Sequence, residues 1–361
     1  MNRFERQVIL PGFGTEGQEK LRDSSVAVIG AGGLGSPILL YLAAAGVGNI
    51  TVVDGDEVSI SNLNRQVIFG EKDLGKNKAE AAVSYFSDKY SDINWKVVTA
   101  FISVENAKEL LAPHDLVIDG SDNFPTRYLV NDACVLLKKP LVFGAIYQHE
   151  GQVSVFNLNR QSCQYRDLFP DMPSAAEVPN CSETGVLGVL PGIIGNLMAL
   201  EAIKVLTGLG EVLDNRVLYF NSLNSETYDL QISPSFKARA SAPSDWEAFS
   251  DTNYELACEG IETLNWDDAF RRAGHGTILV DVREPEEEPP LVCSALTKIP
   301  MSVLPQQLEK FEDAESIFFF CQTGIRSQKA ALLIKSHFPD KATYSIKGGI
   351  AALKTNSRSN G

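Results

Sequence analysis

Short apolar runs alternate with segments of helical periodicity through the first 145 residues of the chain. The apolar runs predict strands, and the longer segments between them predict amphipathic helices. This alternation is typical of a doubly wound, mostly parallel α/β sheet, here a Rossmann-like one. The predicted strands cover residues 25–30, 50–54, 95–102, 115–119 and 140–145, and the predicted helices cover 36–46, 76–90, 103–112 and 124–137.

The pattern changes after residue 150. Residues 151–157 alternate apolar and polar side chains with a period of two, and 216–220 and 227–232 are further strand candidates. They predict that antiparallel strands extend the sheet. The most apolar stretch, residues 186–200, is too short to span a bilayer and predicts a buried helix that is broken near Pro191.

A linker and a second unit follow. Residues 233–262 contain Pro234, Pro243 and several serines, and they predict a linker. A second α/β rhythm begins near residue 263, with strands predicted at 277–281 and 316–321, a helix near 327–336 and a closing segment at 344–349. We therefore expect domains at 1–232 and 263–354 and a polar tail at 355–361.

Charge and cysteine usage narrow the functional classes. The 361 residues carry a net charge of −14, which argues against nucleic acid or an anionic membrane as the main partner. The N-terminus lacks the apolar core of a signal peptide. Six scattered cysteines without a C-x-x-C pair are expected to be reduced thiols, which favours a cytoplasmic location.

A glycine-rich loop joins the first predicted strand to the next helix. Gly30, Gly32 and Gly35 form a G-x-G-x-x-G pattern that also contains Gly33, and Asp54 ends the second strand. Glycines at these positions let phosphate approach backbone N–H groups at a helix N-terminus, and the acid at this spacing binds a ribose hydroxyl. Alone, this pattern predicts NAD and an oxidoreductase.

Charged residues downstream of Asp54 favour a different nucleotide. Arg65, Lys78 and Asp122 place two cations and an acid where phosphates are expected, which suits a nucleotide whose phosphates are cleaved. Each of these residues alone is most simply a surface charge or a turn residue. Together and in this order with Arg6 and Cys181, the motifs resemble the MoeB/ThiF adenylyltransferase family, relatives of the ubiquitin-activating enzymes, over about residues 1–232.

The resemblance implies ATP and magnesium as cofactors. Asp54 would bind the ribose, and Asp122 would lie near the magnesium ion. In the family the position of Arg6 reaches the ATP site of the neighbouring subunit, so a homodimer is implied. The nucleotide-binding set implied by the family is Arg6, Gly30, Gly32, Gly33, Gly35, Asp54, Asp56, Asn62, Arg65, Gln66, Lys78, Asp122 and Asn123.

Cysteines separate this chain from many relatives. Cys181 matches a family position that is a candidate nucleophile, whereas a single cysteine is by default a small buried hydrophobe. Many relatives also hold a structural zinc with two C-x-x-C pairs. Here Gln164 and Asp167 stand where the first pair would fall, and the second pair is absent near residue 233, so we predict no zinc.

A cysteine loop marks the second unit. Cys321 follows an apolar strand, opens a helix and is followed by Arg326, so backbone N–H groups and a cation favour its thiolate and would stabilise a persulfide. With Asp281-Val-Arg283 and Lys347-Gly-Gly349, this loop resembles the rhodanese domain over about 263–354. A catalytically dead rhodanese or a phosphatase-like loop is the competing interpretation.

These resemblances lead to one functional expectation. The chain would adenylate the C-terminal carboxylate of a ubiquitin-like sulfur carrier ending in Gly-Gly, and a persulfide on Cys321 would then give a thiocarboxylate. The likeness to the molybdopterin-synthase adenylyltransferases favours the molybdopterin-synthase small subunit over the thiamine-pathway carrier. A sulfur donor, either a protein or a small molecule, would supply Cys321. An NAD-dependent oxidoreductase and a non-catalytic sulfur-delivery scaffold are the alternatives.

Overall fold

The structure is a computed structural model that describes residues 3–173, 185–254, 261–274, 276–285, 287 and 296–356. This part of the chain divides into two compact units, the first from residues 3–172 and 185–254 and the second from residue 261 onward.

An eight-stranded mixed sheet forms the first unit. Its order is β3-β2-β1-β4-β5-β6-β7-β8, and the first five strands are parallel while the last three join as antiparallel neighbours. The predicted doubly wound sheet with an antiparallel extension is therefore confirmed. The strands are β1 (Ser25–Ile29), β2 (Asn49–Val53), β3 (Asn94–Val98), β4 (Leu116–Asp119), β5 (Leu141–Tyr147), β6 (Glu150–Phe156), β7 (Arg216–Asn221) and β8 (Glu226–Gln231).

Both faces of this sheet are covered by helices. Val26 and Val28 of β1 belong to one apolar cluster, and Ala27 and Ile29 belong to the cluster on the opposite face, as the two-residue period of a strand requires. The helices are α1 (Glu5–Val8), α2 (Gly14–Asp23), α3 (Gly35–Ala45), α4 (Lys78–Ser87), α5 (Ala107–Leu111), α6 (Phe124–Leu137), α7 (Tyr165–Leu168), α8 (Val189–Thr207), α9 (Phe236–Arg239) and α10 (Trp246–Asp251).

The predicted break near Pro191 is wrong. Helix α8 runs without interruption from Val189 to Thr207, and Pro191 lies in its first turn, where the missing N–H has no helical acceptor to lose. By length and composition α8 could cross a membrane, yet it packs against α3 and against β5 and β6. Met198 fills the space above Gly144, where a Cβ would lie 2.2 Å from its sulfur. The helix is thus a core element of this unit.

Residues 233–254, in the predicted linker, carry helices that pack on the first unit. Phe249 of α10 is fully buried in the same apolar cluster as Tyr128 of α6. Tyr254 donates a hydrogen bond to Asp132 at 2.8 Å, and Arg166 pairs with the same carboxylate at 2.7 Å. The sequence pattern did not predict this packing, because the segment has few apolar residues and several prolines, and only a few large side chains make the contacts.

A five-stranded parallel sheet forms the second unit, in the order β11-β10-β12-β13-β9. The predicted smaller α/β unit is confirmed, with two strands and two helices that the sequence pattern did not indicate: β9, β11, α11 and α13. The elements are β9 (Glu262–Leu264), α11 (Trp266–Arg272), β10 (Thr277–Asp281), β11 (Leu296–Lys298), β12 (Ser316–Phe320), α12 (Ile325–His337), β13 (Ala342–Ile346) and α13 (Gly349–Asn356).

Candidate functional site

A pocket of about 550 Å³ opens at the carboxyl ends of the parallel strands in the first unit. The strand order reverses between β1 and β4, and the carboxyl edge of a doubly wound sheet at such a switch point is the usual ligand site. Loops far apart in sequence meet there. The predicted residues that line the pocket are Gly30, Gly32, Gly33, Asp54, Asp56, Arg65, Gln66, Lys78, Asp122 and Asn123.

The glycine loop is shaped by close backbone contacts. Gly30 has φ +89°, a conformation that side chains rarely adopt, and its N–H donates to the carbonyl of Val53 at 2.8 Å. Gly35 does not line the pocket, because it packs inward: a Cβ there would lie 2.0 Å from the carbonyl oxygen of Gly30. The glycine pattern therefore serves both the approach of a ligand and the packing of α3 against the loop.

Asp54 holds the glycine loop in place. One carboxylate oxygen accepts the N–H of Ala31 at 2.8 Å, and the other accepts the N–H of Asp56 at 2.8 Å. Burial of the carboxylate raises the pKa of Asp54, and these two backbone donors act against that rise. A carboxylate oxygen has more than one lone pair, so the same group can still accept a hydrogen bond from a ribose hydroxyl.

Lys78 enters the pocket from the first turn of α4. Asn77 caps this helix by accepting the N–H groups of Ala79 and Glu80, which explains why the helix begins later than residue 76. The Lys78 ammonium contacts the Asp56 carboxylate at 3.1 Å, and its side chain is only 9 % exposed. A compact, desolvated cation beside the glycine loop is suited to bind a phosphate oxygen.

Arg65 is oriented by its own loop. Its Nη1 donates to the Ser61 carbonyl at 2.9 Å and to Asn64 Oδ1 at 3.1 Å. Asn62, which the resemblance places in the nucleotide-binding set, does not line the pocket: its side chain accepts the N–H of Ser59 at 3.2 Å and closes a turn. Asn64, two residues after Asn62, lines the pocket in its place.

The loop after β4 contributes Asp122 and Asn123. The Asn123 side chain accepts the N–H of Thr126 at 2.9 Å, so this residue also caps α6. A carboxylate is a donor type that magnesium prefers, and Asp122 supplies one to the pocket. Sequence reasoning missed Arg127, a buried residue that lines the same pocket and donates to the Ser121 carbonyl at 3.3 Å.

Some predicted residues lie elsewhere. Arg6 is exposed on α1 and does not line the pocket within this chain. Cys181 lies outside the described residues, so its predicted role stays a prediction. Cys321 and Arg326 belong to the second unit.

The cysteine loop of the second unit forms a compact turn. Cys321 is 1 % exposed, and its Sγ accepts the N–H of Gly324 at 3.1 Å. Gly324 has φ +105° and precedes the first residue of α12, so the N–H that the sulfur accepts lies at a helix N-terminus. Arg326, in the first turn of α12, pairs through both guanidinium nitrogens with the Glu287 carboxylate.

An ion pair connects the two segments at which the sequence analysis found no C-x-x-C pair. The fully buried Asp167 carboxylate receives Arg239 at 2.7 Å and the N–H of Ser235 at 2.7 Å. Arg239 also donates to the Ser162 carbonyl at 2.9 Å. Among the residues that the structure describes, no cluster of three His, Cys, Asp or Glu side chains is able to hold a metal ion. The absence of zinc stays a prediction, and a charged clamp joins the two segments.

Asp167→Ala is expected to lower the free energy of unfolding by about 3 kcal/mol, because it leaves the Arg239 guanidinium without its buried partner. Asp229→Ala, which removes a partly exposed pair with Arg216, is the matched control and should cost about 1 kcal/mol or less. Denaturant unfolding of the whole chain, with metal analysis of the same samples, measures both. Equal losses, or stoichiometric zinc in the parent protein, would contradict the clamp.

Comparisons with known proteins agree with this architecture. The model of the ThiF family matches residues 4–241. A Thermus thermophilus "Sulfur carrier protein adenylyltransferase" is 50 % identical over 64 % of this chain and 87 % of its own length. The "Probable adenylyltransferase/sulfurtransferase MoeZ" of Mycobacterium tuberculosis is 38 % identical over 97 % of this chain and 92 % of its own length.

A solved structure shares the fold of the first unit. The crystal structure of E. coli MccB with ATP has a TM-score of 0.58 and 21 % sequence identity, over 65 % of this chain and 72 % of that chain. At this identity the likeness concerns the fold. The family match covers more than half of the residues, and one relative is similar along almost the whole length. The chain therefore belongs to the ThiF family.

Proposed function

We propose that this protein adenylates the C-terminal glycine carboxylate of a small ubiquitin-like sulfur carrier and then transfers sulfur to it. The observation that carries the proposal is the gathering of Arg65 and Lys78 beside the glycine loop, with Asp122 in the loop that follows β4. An NAD site gives no reason for two cations at the phosphates. Two relatives support the same chemistry by their names, one a sulfur carrier protein adenylyltransferase and the other a probable adenylyltransferase/sulfurtransferase.

The first step uses the pocket of the first unit. The carrier carboxylate attacks the α-phosphate of ATP, and the bond to pyrophosphate breaks. Arg65 and Lys78 stabilise the negative charge that develops on the phosphates, and Asp54 positions the ribose. Magnesium held by Asp122 would supply further neutralisation of phosphate charge when bound.

The second step uses the cysteine loop, which we assign to a rhodanese-like unit. The terminal sulfur of a Cys321 persulfide attacks the acyl carbon of the adenylate, and AMP leaves. The N–H of Gly324 and the N-terminus of α12 hold the anionic sulfur, beside the ion pair of Arg326 with Glu287. The Cys181 thiolate then attacks the Cys321 sulfur of the acyl-disulfide, so that the carrier thiocarboxylate leaves and a Cys181–Cys321 disulfide forms, which an external thiol reduces before the next turnover. Alternatively, Cys181 displaces AMP itself and carries the carrier as a thioester.

We propose a cytoplasmic homodimer that serves molybdenum cofactor biosynthesis. Arg6 lies on a short N-terminal helix and is followed by Ile9 and Leu10, which are 65 % and 50 % exposed. Exposed apolar side chains beside an exposed cation suit a protein interface, and a second subunit would bring Arg6 to an ATP site. The molybdopterin-synthase small subunit is the favoured carrier.

Carrier-dependent ATP–pyrophosphate exchange tests this proposal. We expect exchange with the molybdopterin-synthase small subunit, less exchange with the thiamine-pathway carrier, and none without a carrier. Thermal shifts with ATP–magnesium and with NAD, measured separately, identify the bound nucleotide. Exchange with neither carrier, together with stabilisation by NAD alone, would overturn the proposal.

A further inference from the structure

Both guanidinium groups beside the cysteine loop are neutralised by carboxylates. Arg283 is fully buried and gives its Nε and Nη2 to Asp281 at 2.9 and 2.7 Å. Arg326 gives its Nη2 to Glu287 Oε2 at 2.6 Å and its Nη1 to the other oxygen of the same carboxylate. Glu284 adds a third carboxylate nearby, bound to the Ser302 hydroxyl at 3.0 Å. The loop therefore offers an incoming anion little net positive charge.

The Glu287 carboxylate is held firmly in its charged form. Burial acts to raise the pKa of Glu287, but the hydrogen bonds from Arg326 and from the Glu284 N–H, together with the charges of Arg326 and Arg283, outweigh it and the pKa is lowered. A bidentate pair of this kind fixes the geometry of both partners and occupies the face of the guanidinium that would otherwise grip an oxyanion. Arg326 is thus committed to Glu287 when no donor is bound.

Two classes of sulfur donor respond differently to this arrangement. Thiosulfate is a dianion, and its sulfonate needs a free cation close to the attacking sulfur. A carboxylate at that cation repels the dianion and competes for the same N–H groups. A persulfide on an otherwise uncharged thiol compound presents its outer sulfur to Cys321 without a sulfonate to be bound, so the pair does not oppose it.

We propose that Glu287 is a donor-selecting residue, which excludes oxyanionic donors such as thiosulfate and leaves Cys321 to accept sulfur from persulfides. The inference rests on the proposed sulfur-transfer function and specifies the donor class for it. In the accepted reaction the Cys321 thiolate attacks the outer sulfur of the persulfide. The S–S bond of the donor breaks, its electron pair leaves on the donor thiolate, and Cys321 becomes the persulfide. With thiosulfate the same attack would release sulfite.

Glu287→Gln tests this inference in the full chain. The amide keeps the shape of the side chain and removes its charge, so Arg326 becomes available to the sulfonate. We expect kcat/KM for thiosulfate, with cyanide as acceptor, to rise about tenfold or more. Persulfide formation on Cys321 from the persulfide of N-acetylcysteinamide should change by less than about twofold, because that donor carries no sulfonate.

Two further variants test whether the rise in kcat/KM for thiosulfate depends on Glu287 and Arg326. Glu262→Gln, in an exposed pair with Arg272 on the same unit, is the matched control and should leave both donors unchanged. The double variant Glu287→Gln/Arg326→Met should lose the gain with thiosulfate, since the freed guanidinium is gone. An unchanged thiosulfate rate in Glu287→Gln, with persulfide transfer intact, would overturn the inference alone. Failure of every donor with the parent protein would overturn the sulfur-transfer function and this inference with it.

Discussion

Arg65→Ala is expected to reduce carrier-dependent ATP–pyrophosphate exchange by about 100-fold or more, because the variant removes a fixed cation from the proposed phosphate site. The guanidinium is already oriented by the Ser61 carbonyl and the Asn64 side chain, at 2.9 and 3.1 Å. The Arg65 side chain therefore needs little reorientation when negative charge develops on the leaving pyrophosphate. Alanine keeps the turn and loses both the charge and its orientation.

The control for this experiment is Arg22→Ala. Arg22 is exposed on α2, pairs with its neighbour Asp23 and does not line the pocket. Its removal should leave exchange unchanged, which separates a local effect at the phosphates from a loss of overall charge. Exchange by Arg65→Ala at the parental rate would refute the assignment of this residue, and a scaffold that only delivers sulfur would then explain the chain better.

Strand periodicity and the glycine spacing predicted the frame of the first unit. Apolar runs of β-branched residues identify parallel strands because both faces of such strands are buried, and β1 packs in this way through Val26 and Ala27. The ends of these strands then define the ligand edge, so Asp54 and Asp122 could be placed together without coordinates. At Asp54 and Asp122 the strand ends predicted from the apolar pattern coincide with the ligand edge that the sheet topology defines.

The polar partners inside the pocket were harder to predict. Arg127 lies four residues after Asn123 in a helix whose sequence contains no motif that marks this residue. Only the fold reveals that Arg127 is buried and lines the pocket. Asn62 and Asn64 are separated by one residue, and the choice between them depends on how the turn after Ser59 closes. Such choices depend on loop geometry, for which the sequence carries no periodic signal.

Long-range charge pairs were also invisible in the sequence. Asp167 and Arg239 are 72 residues apart, and Glu287 and Arg326 are 39 apart. Pairing of side chains across such distances follows from tertiary structure, not from local propensity. Substitution of the expected zinc ligands was visible in the sequence, whereas the clamp that joins the same two segments was not.

Cys321→Ala is expected to abolish formation of the carrier thiocarboxylate while it leaves ATP–pyrophosphate exchange within about twofold of the parental rate. The two activities separate because Cys321 belongs to the second unit, whereas Asp54, Arg65, Lys78 and Asp122, which we propose for adenylation, line the pocket of the first unit. Without the sulfur atom no persulfide forms, so the acyl-adenylate has no sulfur nucleophile. Mass spectrometry of the carrier measures the thiocarboxylate directly.

Cys163→Ala supplies the matched thiol control for this last experiment. Cys163 is buried in the first unit, where burial raises the pKa of its thiol to about 11, so it is not a competent nucleophile near neutral pH. Its loss should leave both exchange and thiocarboxylate formation in place. Thiocarboxylate formation that persists in Cys321→Ala would show that sulfur reaches the adenylate from another source, and the second unit would then have no part in the chemistry. A loss of exchange in the same variant would instead show that the two units do not act independently.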